Sequence, residues 1–397
     1  MPWNANKSEC EIRTELVLRI LEGNEPVSKL CEEYGVSRKT AYKWRNRYNA
    51  GQSLESQSRR PKNFPNATSQ KVIDEIVDLR TKHRTLGGKK IEIMLKRKGL
   101  EGVPSGTTIT SILRRHNLLD KQAVAEARPL KRYTKTYPNE MWQVDFKGHF
   151  PLGTGERCHP LTAIDDFSRF NLCCEPVLGE SFEIIRPTFE RMFREYGLPF
   201  SILCDNGNPW GGVGRHTAIT AFETWLMELG ILTLHGRPAH PQTQGKDERF
   251  NKTFKREVLN QNDFADLRTA KKICDEYRQF YNYERPHFAI GSKTPAEIFK
   301  CSERKYPNKI KEWEYPEGTM VRAVEHHGYI VIHHKHLYVS EGLRHKHIAM
   351  VPATKRNCVN FVFRNFLVAR YNFSTKDFDF RKPYLLKGDP RPWAPQL

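Results

Sequence analysis

The spacing of apolar residues changes at Tyr137, and this change limits the possible folds more than any other feature of the sequence. Before it, apolar residues recur at three- and four-residue intervals, which is the period of an amphipathic helix. After it, the stretch MWQVDF (141–146) alternates large apolar side chains with polar ones, which is the period of a strand. At 397 residues the chain is also too long for one ordinary domain. We therefore predict a multidomain protein with an α-helical N-terminus, an α/β centre with a mixed sheet and a small β-barrel at the C-terminus.

The charge of the chain is strongly and unevenly basic. The net charge of +19 divides into +13 for residues 1–135, −3 for residues 136–299 and +9 for residues 300–397. Lys and Arg gain affinity for nucleic acid by displacing counterions from phosphates, so DNA is the expected partner, although a basic surface could also bind acidic lipid. No apolar run reaches membrane-spanning length, and nine cysteines without a CxxC pair suit free thiols in a reducing compartment. We expect a cytoplasmic protein that joins the nucleoid when bound to DNA and has no membrane partner.

Residues 25–48 have the pattern of a helix-turn-helix. Gly35 can take the left-handed turn between two helices, and Ser37 can cap the second helix. The first turns of that helix carry basic and hydroxyl side chains, as in helices that enter the major groove: Arg38, Lys39, Thr40 and Lys43. Three residues of the same helix are expected to face inward: Ala41, Tyr42 and Trp44. We predict a DNA-binding domain in residues 1–55, and a helical hairpin with a solvated basic face is the alternative.

A second helical unit is predicted in residues 68–120, after a linker rich in Pro, Ser and Arg at 56–67. Its helices place apolar residues on one face and leave Arg114 and Arg115 outside, where they can reach DNA. We favour a second helix-turn-helix or winged-helix domain, and an ordinary helical spacer is the alternative. Residues 121–136 follow as an exposed basic linker.

The centre of the chain, residues 137–300, has the pattern of an α/β domain. Three strands in an antiparallel meander are followed by a helix, a strand, a helix, a strand and a helix. Asp145 lies within the first strand, Asp205 at the end of the fourth and Glu248 in the first turn of the last helix. Because the first and fourth strands can lie side by side, these acids could hold a pair of Mg²⁺ ions, which prefer oxygen ligands. Two such ions can activate an attacking oxygen and stabilise the leaving one at a phosphodiester.

Five motifs, in order, resemble the core of bacterial insertion-sequence transposases related to retroviral integrases: WQVDFKG, AIDDFSRF, LCDNG, HPQTQGKDERFNKTFK and YNYERPHFAIGSKTPAEIF. The resemblance spans about residues 137–300, and the two helical units are similar to the N-terminal arrangement of those transposases. It implies an RNase H-like fold and a catalytic triad of Asp145, Asp205 and Glu248, with Mg²⁺ as the cofactor and Mn²⁺ as its substitute. It also implies a homo-oligomer that binds double-stranded DNA, both terminal repeats and target, in a synaptic complex.

The resemblance selects Glu248, not the adjacent Asp247, as the third acid. Neighbouring helical residues point about 100° apart, so both carboxylates cannot face one metal site. Asp247 is assigned to the helix N-terminus, where unpaired N–H groups and the helix dipole favour a negative charge. The resemblance also implies that Asn251, Lys252 and Lys255 share the helical face of Glu248 and approach donor DNA.

Two stretches of the centre need a separate interpretation. The Gly-rich segment PWGGVGRHTAIT (209–220) makes the gap after Asp205 longer than the family's usual one. It is either a mobile active-site loop or a neutral surface insertion. Asp165 and Asp166 resemble the turn after the family's second strand, so we assign them a structural role.

The C-terminal part is rich in short strand-like runs. Residues 315–375 predict the small β-barrel, which would bind DNA or mediate assembly. Seven histidines lie between His326 and His347, but they lack zinc-finger spacing and paired cysteines, so we assign no metal site to them. Residues 376–397 are expected to be irregular.

Together these features predict a transposase that binds the terminal inverted repeats of an insertion sequence. The acidic centre would catalyse metal-dependent strand cleavage, and the liberated 3′-hydroxyl would then attack target DNA. A recombinase or nuclease that cuts without joining is the first alternative. A DNA-binding regulator derived from a transposase is the second.

Overall fold

The computed structural model describes residues 8–56, 67–119, 135–211, 219–236, 245–332, 334–380 and 383–386. The chain divides into two compact units, Met1–Ala67 and Thr68–Leu397. The predicted linkers at 56–67 and 121–136 fall largely outside the described residues. None of the described helices is long and apolar enough to cross a membrane.

The described part of the first unit folds into three helices, α1 (Glu9–Glu22), α2 (Val27–Glu33) and α3 (Arg38–Asn49). Gly35 adopts the left-handed conformation, with φ of 62°, between α2 and α3. The Ser37 side chain accepts a hydrogen bond from the Thr40 backbone N–H at 3.2 Å and caps α3. The predicted helix-turn-helix is therefore confirmed.

The orientation predicted for Tyr42 is wrong. Ala41 is fully buried and Trp44 packs partly against the same small core, as expected. Tyr42 instead remains exposed and lies against the Arg45 guanidinium, whose Cζ is 4.7 Å from the ring centroid. On the helix, Tyr42 follows Ala41 by one residue and so points about 100° away from the buried face.

The second unit begins with three further helices, α4 (Gln70–Lys82), α5 (Gly88–Arg97) and α6 (Gly106–Arg115). Helices α5 and α6 approach each other closely at Gly88 and Gly106. A side chain would not fit there, because a Cβ on Gly88 would collide with the Gly106 carbonyl oxygen. The apolar faces of α4–α6 share one hydrophobic core with helices of the α/β domain. The predicted second helical domain is thus packed on the α/β domain within one unit.

The described residues of the α/β domain form six strands and four α-helices. In chain order they are β1 (Met141–Phe146), β2 (Phe150–Pro151), β3 (Arg157–Asp165), β4 (Asn171–Val177), α7 (Phe182–Tyr196), β5 (Ser201–Cys204), α8 (Ala221–Glu228), β6 (Leu232–His235), α9 (Gly245–Phe254) and α10 (Leu267–Gln279). A π-helical turn, Lys255–Leu259, continues α9, and another, Phe280–Glu284, continues α10.

The sheet of this domain is mixed, as predicted. Strand β1 pairs antiparallel with β3 and parallel with β5, β3 pairs antiparallel with β4, and β5 pairs parallel with β6. The predicted neighbourhood of the first and fourth long strands is the β1–β5 pair. Because side chains alternate along a strand, Trp142 and Val144 face the core formed with α7 and α8. Gln143 and Asp145 face the opposite side, where α9 packs.

The C-terminal strands form an antiparallel sheet and a separate hairpin. They are β7 (Met320–Ala323), β8 (Tyr329–Ile332), β9 (Lys335–Tyr338), β10 (His347–Pro352), β11 (Cys358–Phe363), β12 (Phe366–Asn372), β13 (Asp377–Phe380) and β14 (Tyr384–Leu385). The sheet order is β13-β12-β11-β10-β7, with β14 beside β12, and β8 pairs with β9 alone. Within the described strands β7 and β13 do not pair with each other, so a closed barrel is not confirmed.

The prediction that residues 376–397 are irregular is partly wrong. Residues 377–380 and 384–385 are strands that pair with β12. The alternating Phe and Asp residues of DFDF give this segment a strand period, which the sequence interpretation overlooked. Residues 387–397 lie outside the described part of the chain.

Candidate catalytic site

Asp145 and Asp205 are brought together by the parallel pairing of β1 with β5. The register aligns Gln143 with Leu203, so the two aspartates, each two residues further along, lie side by side. Burial and the neighbouring Asp205 charge raise the pKa of the Asp145 carboxyl to about 6. Two carboxylates at the edge of adjacent strands are an oxygen-rich, negatively charged site of the kind that attracts a hard divalent cation.

The backbone around Asp205 is held tightly. The Gly207 N–H donates to Asp205 Oδ1 at 3.0 Å, and a Cβ on Gly207 would lie 3.2 Å from Asp205 Oδ2. Asn206 Nδ2 donates to the Gly236 carbonyl at 3.0 Å, and the His235 ring nitrogen Nδ1 lies 2.7 Å from the Asp205 carbonyl oxygen. These contacts join the loop after β5 to the end of β6 and fix the position of Asp205.

Asp247 lies inside the site, contrary to its predicted role as a helix-start acid. Only 1% of the residue is exposed. Asn251 Nδ2 donates to Asp247 Oδ2 at 2.6 Å and to Asp145 Oδ2 at 3.2 Å, so one amide joins both carboxyl groups. Thr162 Oγ1 lies 3.4 Å from Asp247 Oδ1. Burial and the Asp145 charge raise the pKa of Asp247 well above its usual range.

A sequence signal for the inward direction of Asp247 was available but unused. Phe250, Phe254 and Val258 are all buried and mark the apolar stripe of α9 and its π-helical turn. Asp247 precedes the first of them by three residues and the second by seven, which places it on the same stripe. The apolar residues of the helix therefore fix the direction of Asp247 toward the sheet.

Glu248 points away from this stripe. Its side chain is 42% exposed, and its ion-pair partner is Lys252, with 3.9 Å between Oε2 and Nζ. Within the described residues, no group of three or more His, Cys, Asp or Glu side chains is arranged as a metal site. The structure thus brings together Asp145 and Asp205, and it leaves the Glu248 carboxylate apart from them.

The three DNA contacts predicted on α9 separate into two groups. Lys252 and Lys255 are exposed. Asn251 is buried, and its amide nitrogen is engaged by the Asp145 and Asp247 carboxyls. The expectation that Asn251 shares the face of Glu248 is wrong. Asn251 follows Asp247 by four residues, a rotation of about 40°, and follows Glu248 by three residues, a rotation of about 300°. Its side chain therefore points closer to the direction of Asp247 than to that of Glu248.

Asp166 anchors the N-terminus of α9 to the sheet. Its buried carboxylate accepts from Gln143 Nε2 at 2.6 Å and forms an ion pair with Lys246. Gln143 Oε1 in turn accepts from the Asp247 backbone N–H at 3.1 Å. These bonds link β1, the β3–β4 turn and α9, which agrees with the structural role expected for Asp166.

Asp165 stabilises the turn between β3 and β4. Its carboxylate accepts from the Asn139 N–H at 2.7 Å and from both the N–H and the hydroxyl of Ser168, at 2.8 and 2.6 Å. Burial raises the pKa of Asp165 to about 6. These bonds fit the structural role expected for Asp165.

The ends of the Gly-rich segment after Asp205 are packed, whereas residues 212–218 lie outside the described part of the chain. Trp210 is 1% exposed and contacts Phe189 and Phe222 in the core. Ile219 is buried among residues of the C-terminal domain. Because Trp210 and Ile219 are buried, the two ends of the segment are not a neutral surface insertion.

The basic residues predicted to contact DNA are accessible. Arg38, Lys39 and Lys43 are exposed on α3, while the Thr40 hydroxyl lies 2.9 Å from Ser37 Oγ at the helix cap. In the second unit, Arg114 and Arg115 are exposed at the C-terminal end of α6.

Comparisons with known proteins place these elements in a family. Two profiles described as integrase core domains match residues 135–241 and 229–295. A helix-turn-helix domain profile matches residues 12–62, and a homeodomain-like domain profile matches residues 40–113. An uncharacterized 39.2 kDa protein of insertion element IS476 from Xanthomonas euvesicatoria is 25% identical, over 59% of this chain and 66% of that protein. The integrase core and helix-turn-helix matches, together with the insertion-element relatives, support a transposase of the integrase superfamily.

Another relative and two solved structures match overlapping regions of the chain. An uncharacterized 31.7 kDa protein of insertion element IS407 from Burkholderia multivorans is 25% identical, over 59% of this chain and 82% of that protein. Among solved structures, the magnesium complex of the HTLV-2 integrase catalytic core domain is 16% identical, covers 41% of this chain and 97% of that one, and has a TM-score of 0.30. The match to the simian T-cell lymphotropic virus intasome, in complex with a PP2A regulatory subunit, covers 73% of this chain and 96% of that chain, with 16% identity and a TM-score of 0.34.

Proposed function

We propose that this transposase binds the ends of its element and catalyses cleavage of the DNA there and joining of the cut ends to target DNA. The observation that carries the proposal is the side-by-side placement of Asp145 and Asp205 on parallel strands, where their charges repel. Such repulsion is unfavourable for folding and is relieved by a bound cation. The helix that carries Glu248, α9, packs on the same side of the sheet as Asp145.

Asp145, Asp205 and Glu248 would hold the divalent ions, and their all-oxygen donor set fits Mg²⁺, with Mn²⁺ as a substitute. Bound Mg²⁺ supplies a lowered pKa for an attacking water and charge neutralisation at the phosphodiester. Asn251 holds the Asp145 carboxyl in place through its amide. Glu248 is exposed, and one long ion pair with Lys252 is a weak restraint, so its side chain can turn toward the aspartates.

The exposed lysines near this site would bind the DNA backbone. Lys252 and Lys255 lie on the solvent side of α9 and its continuation, within a few residues of Glu248. A Lys at such a position contributes to affinity through phosphate contacts, which position the duplex without reading its sequence.

Recognition of the element ends is assigned to α3. Its N-terminal turns present Arg38, Lys39 and Lys43 to solvent on a helix that is capped and packed as in a helix-turn-helix. Arg114 and Arg115 of α6 would add contacts in the second helical unit. Cutting and joining at two element ends requires two sites, so a homo-oligomer is the expected working form.

The test is a coupled cleavage and joining assay on a labelled duplex taken from the element end, with a plasmid as target. We expect Mg²⁺-dependent cut and joined products from the wild type and neither product from Asp145→Asn or Asp205→Asn, with end binding retained by both variants. Joining of a pre-cut end separates a transposase from an enzyme that only cuts. A wild type that binds ends but neither cuts nor joins with Mg²⁺ or Mn²⁺ would support a regulator instead.

A further inference from the structure

His235, the last residue of β6, forms a bridge between Asp205 and a buried glutamate. Its Nδ1 lies 2.7 Å from the Asp205 carbonyl oxygen, and its Nε2 lies 2.9 Å from Glu223 Oε1. A carbonyl oxygen can only accept a hydrogen bond, so Nδ1 must donate to it. The ring is thus fixed between a backbone atom of a proposed metal ligand and a side chain of α8.

Glu223 is itself held rigidly. It is 3% exposed, and it is the third residue of α8 in a capping box with Thr220. Its second oxygen, Oε2, accepts from the Thr220 N–H at 2.8 Å, while its own N–H donates to Thr220 Oγ1 at 3.2 Å. Both oxygens of the carboxylate are therefore used, one for the helix cap and one for His235.

The C-terminal domain contacts the segment that precedes Glu223. Ser340 is fully buried, and its Oγ donates to the Ile219 carbonyl at 2.7 Å. A Cβ on Gly342 would collide with that same carbonyl oxygen, so the two backbones are in direct contact. A continuous series of packed and hydrogen-bonded groups runs from this contact through Thr220, Glu223 and His235 to Asp205.

We propose that Glu223 and His235 are positioning residues that hold the Asp205 backbone, and with it the Asp205 carboxylate, in the orientation needed to bind a divalent cation. The inference rests on the proposed function, because it takes Asp205 as a metal ligand. Hydrogen bonds from outside the ligand set orient ligands at metal sites, and their loss typically weakens metal binding about 10- to 100-fold. Neither residue needs to touch the cation or the DNA.

The experiment measures Mn²⁺ affinity of the full-length, DNA-free protein by electron paramagnetic resonance, together with the thermal unfolding temperature in chelator. His235→Leu removes both hydrogen bonds and should weaken Mn²⁺ binding about 10- to 100-fold. His235→Asn places an amide donor near the position of Nδ1 and should restore part of the affinity. If His235→Leu does not fold, His235→Asn and Glu223→Gln, which keep the size and polarity of the site, are compared with the wild type in the same way, and both should weaken binding.

The chain offers a matched control in a second His–Glu pair. The Nδ1 atom of His159, a residue of β3, lies 2.7 Å from Glu180 Oε1, and among the described residues no hydrogen bond or ion pair joins this pair to Asp205. His159→Leu should leave Mn²⁺ affinity unchanged. Equal affinity of wild type and His235→Leu, or equal losses in His235→Leu and His159→Leu, would overturn the proposal.

Asp205→Asn distinguishes this inference from the proposed function. If Asp205→Asn loses Mn²⁺ binding and the His235 variants do not, only the positioning role fails. If Asp205→Asn binds Mn²⁺ like the wild type, the ligand assignment fails and the positioning role falls with it.

Discussion

Asp145 and Asp247 accept hydrogen bonds from the same atom, Nδ2 of Asn251, at 3.2 and 2.6 Å. The shared amide holds two carboxyl groups next to each other on the side of the sheet that faces α9. Burial and the Asp205 charge raise the pKa of Asp145, and burial and the Asp145 charge raise the pKa of Asp247. An aspartate outside the expected triad is therefore part of the environment of Asp145.

Asp247→Asn is expected to fold with nearly wild-type stability. Burial and the Asp145 charge raise the pKa of Asp247, so the site favours the charged carboxylate less than water does, and a neutral Asn amide has the same shape. Asp247→Leu should instead cost about 1–3 kcal/mol, because the Asn251 amide and the Thr162 hydroxyl lose an acceptor in a buried site. Urea unfolding of the two variants in chelator measures the difference, and equal stability of both would show that these hydrogen bonds contribute nothing.

The stability of the metal-free protein should depend on pH through Asp145. Its folded-state pKa of about 6 exceeds the ~3.9 of an unfolded Asp, so the folded protein holds this proton more tightly. The contribution therefore favours folding at low pH and is lost as the pH rises from about 4 through about 6. Burial also raises the pKa of Asp165 to about 6, so the informative quantity is the difference between wild type and Asp145→Asn, which retains Asp165. Unfolding free energies of the two proteins should diverge over this range, and parallel curves would contradict the assignment.

Glu248→Gln is expected to abolish both cleavage and joining while leaving end binding intact. The substitution keeps size and polarity but removes the charge that a cation requires. Its effect on stability should stay below about 1 kcal/mol, because the side chain is exposed and its ion pair with Lys252 spans 3.9 Å. Parallel assays of Glu248→Gln and Asp247→Asn on labelled end DNA test the assignment. If Asp247→Asn neither cleaves nor joins DNA while Glu248→Gln does both, Asp247 and not Glu248 is the third metal ligand.

Lys246→Met is expected to destabilise the protein by about 3 kcal/mol, because it leaves the Asp166 carboxylate, which is 1% exposed, without its cation. Lys252→Met is the matched control, since this lysine is 75% exposed and its loss should cost under about 1 kcal/mol. Chemical denaturation of both variants measures the two losses in unfolding free energy. Similar losses would remove the ion pair of Asp166 from the factors that hold α9.

Arg38→Ala and Lys39→Ala are expected to weaken binding to the element ends without affecting folding, because both side chains are exposed on α3. A residue that contacts a base should lose about 1–3 kcal/mol of binding free energy for the element end and little for an unrelated duplex. A residue that contacts phosphate should weaken both duplexes alike and reduce the salt dependence. Electrophoretic mobility shifts with the two duplexes at several salt concentrations separate these outcomes, and unchanged affinity for both would exclude α3 from DNA binding.

Local signals predicted much of this structure. The cap at Ser37, the turn at Gly35 and the alternation that buries Trp142 follow from properties of a few consecutive residues. The side-by-side position of Asp145 and Asp205 followed from strand order. Such features depend on backbone geometry that a short stretch of sequence determines.

The rotation of α9 about its axis was not predicted, and it decides which of two adjacent acids faces the sheet. That rotation is set by the packing of Phe250 and Phe254 against residues of α10 and beyond. The bridge from Glu223 through His235 to Asp205 joins residues up to 30 positions apart. The bridge depends on how separate elements pack, which no local pattern specifies, whereas the apolar stripe of α9 is a local signal for the direction of Asp247.

The contact of Ser340 and Gly342 with the Ile219 carbonyl ties the C-terminal domain to the α/β domain. Ile219 and Met227 complete the apolar core of the C-terminal domain, and Lys346 Nζ forms an ion pair with Glu228 at 2.7 Å. A chain cut near residue 300 would leave this apolar surface open to solvent and prone to association. A C-terminal domain transplanted from another protein would pack here only if it matched residues 219–228, so these residues and the C-terminal domain have to be exchanged together.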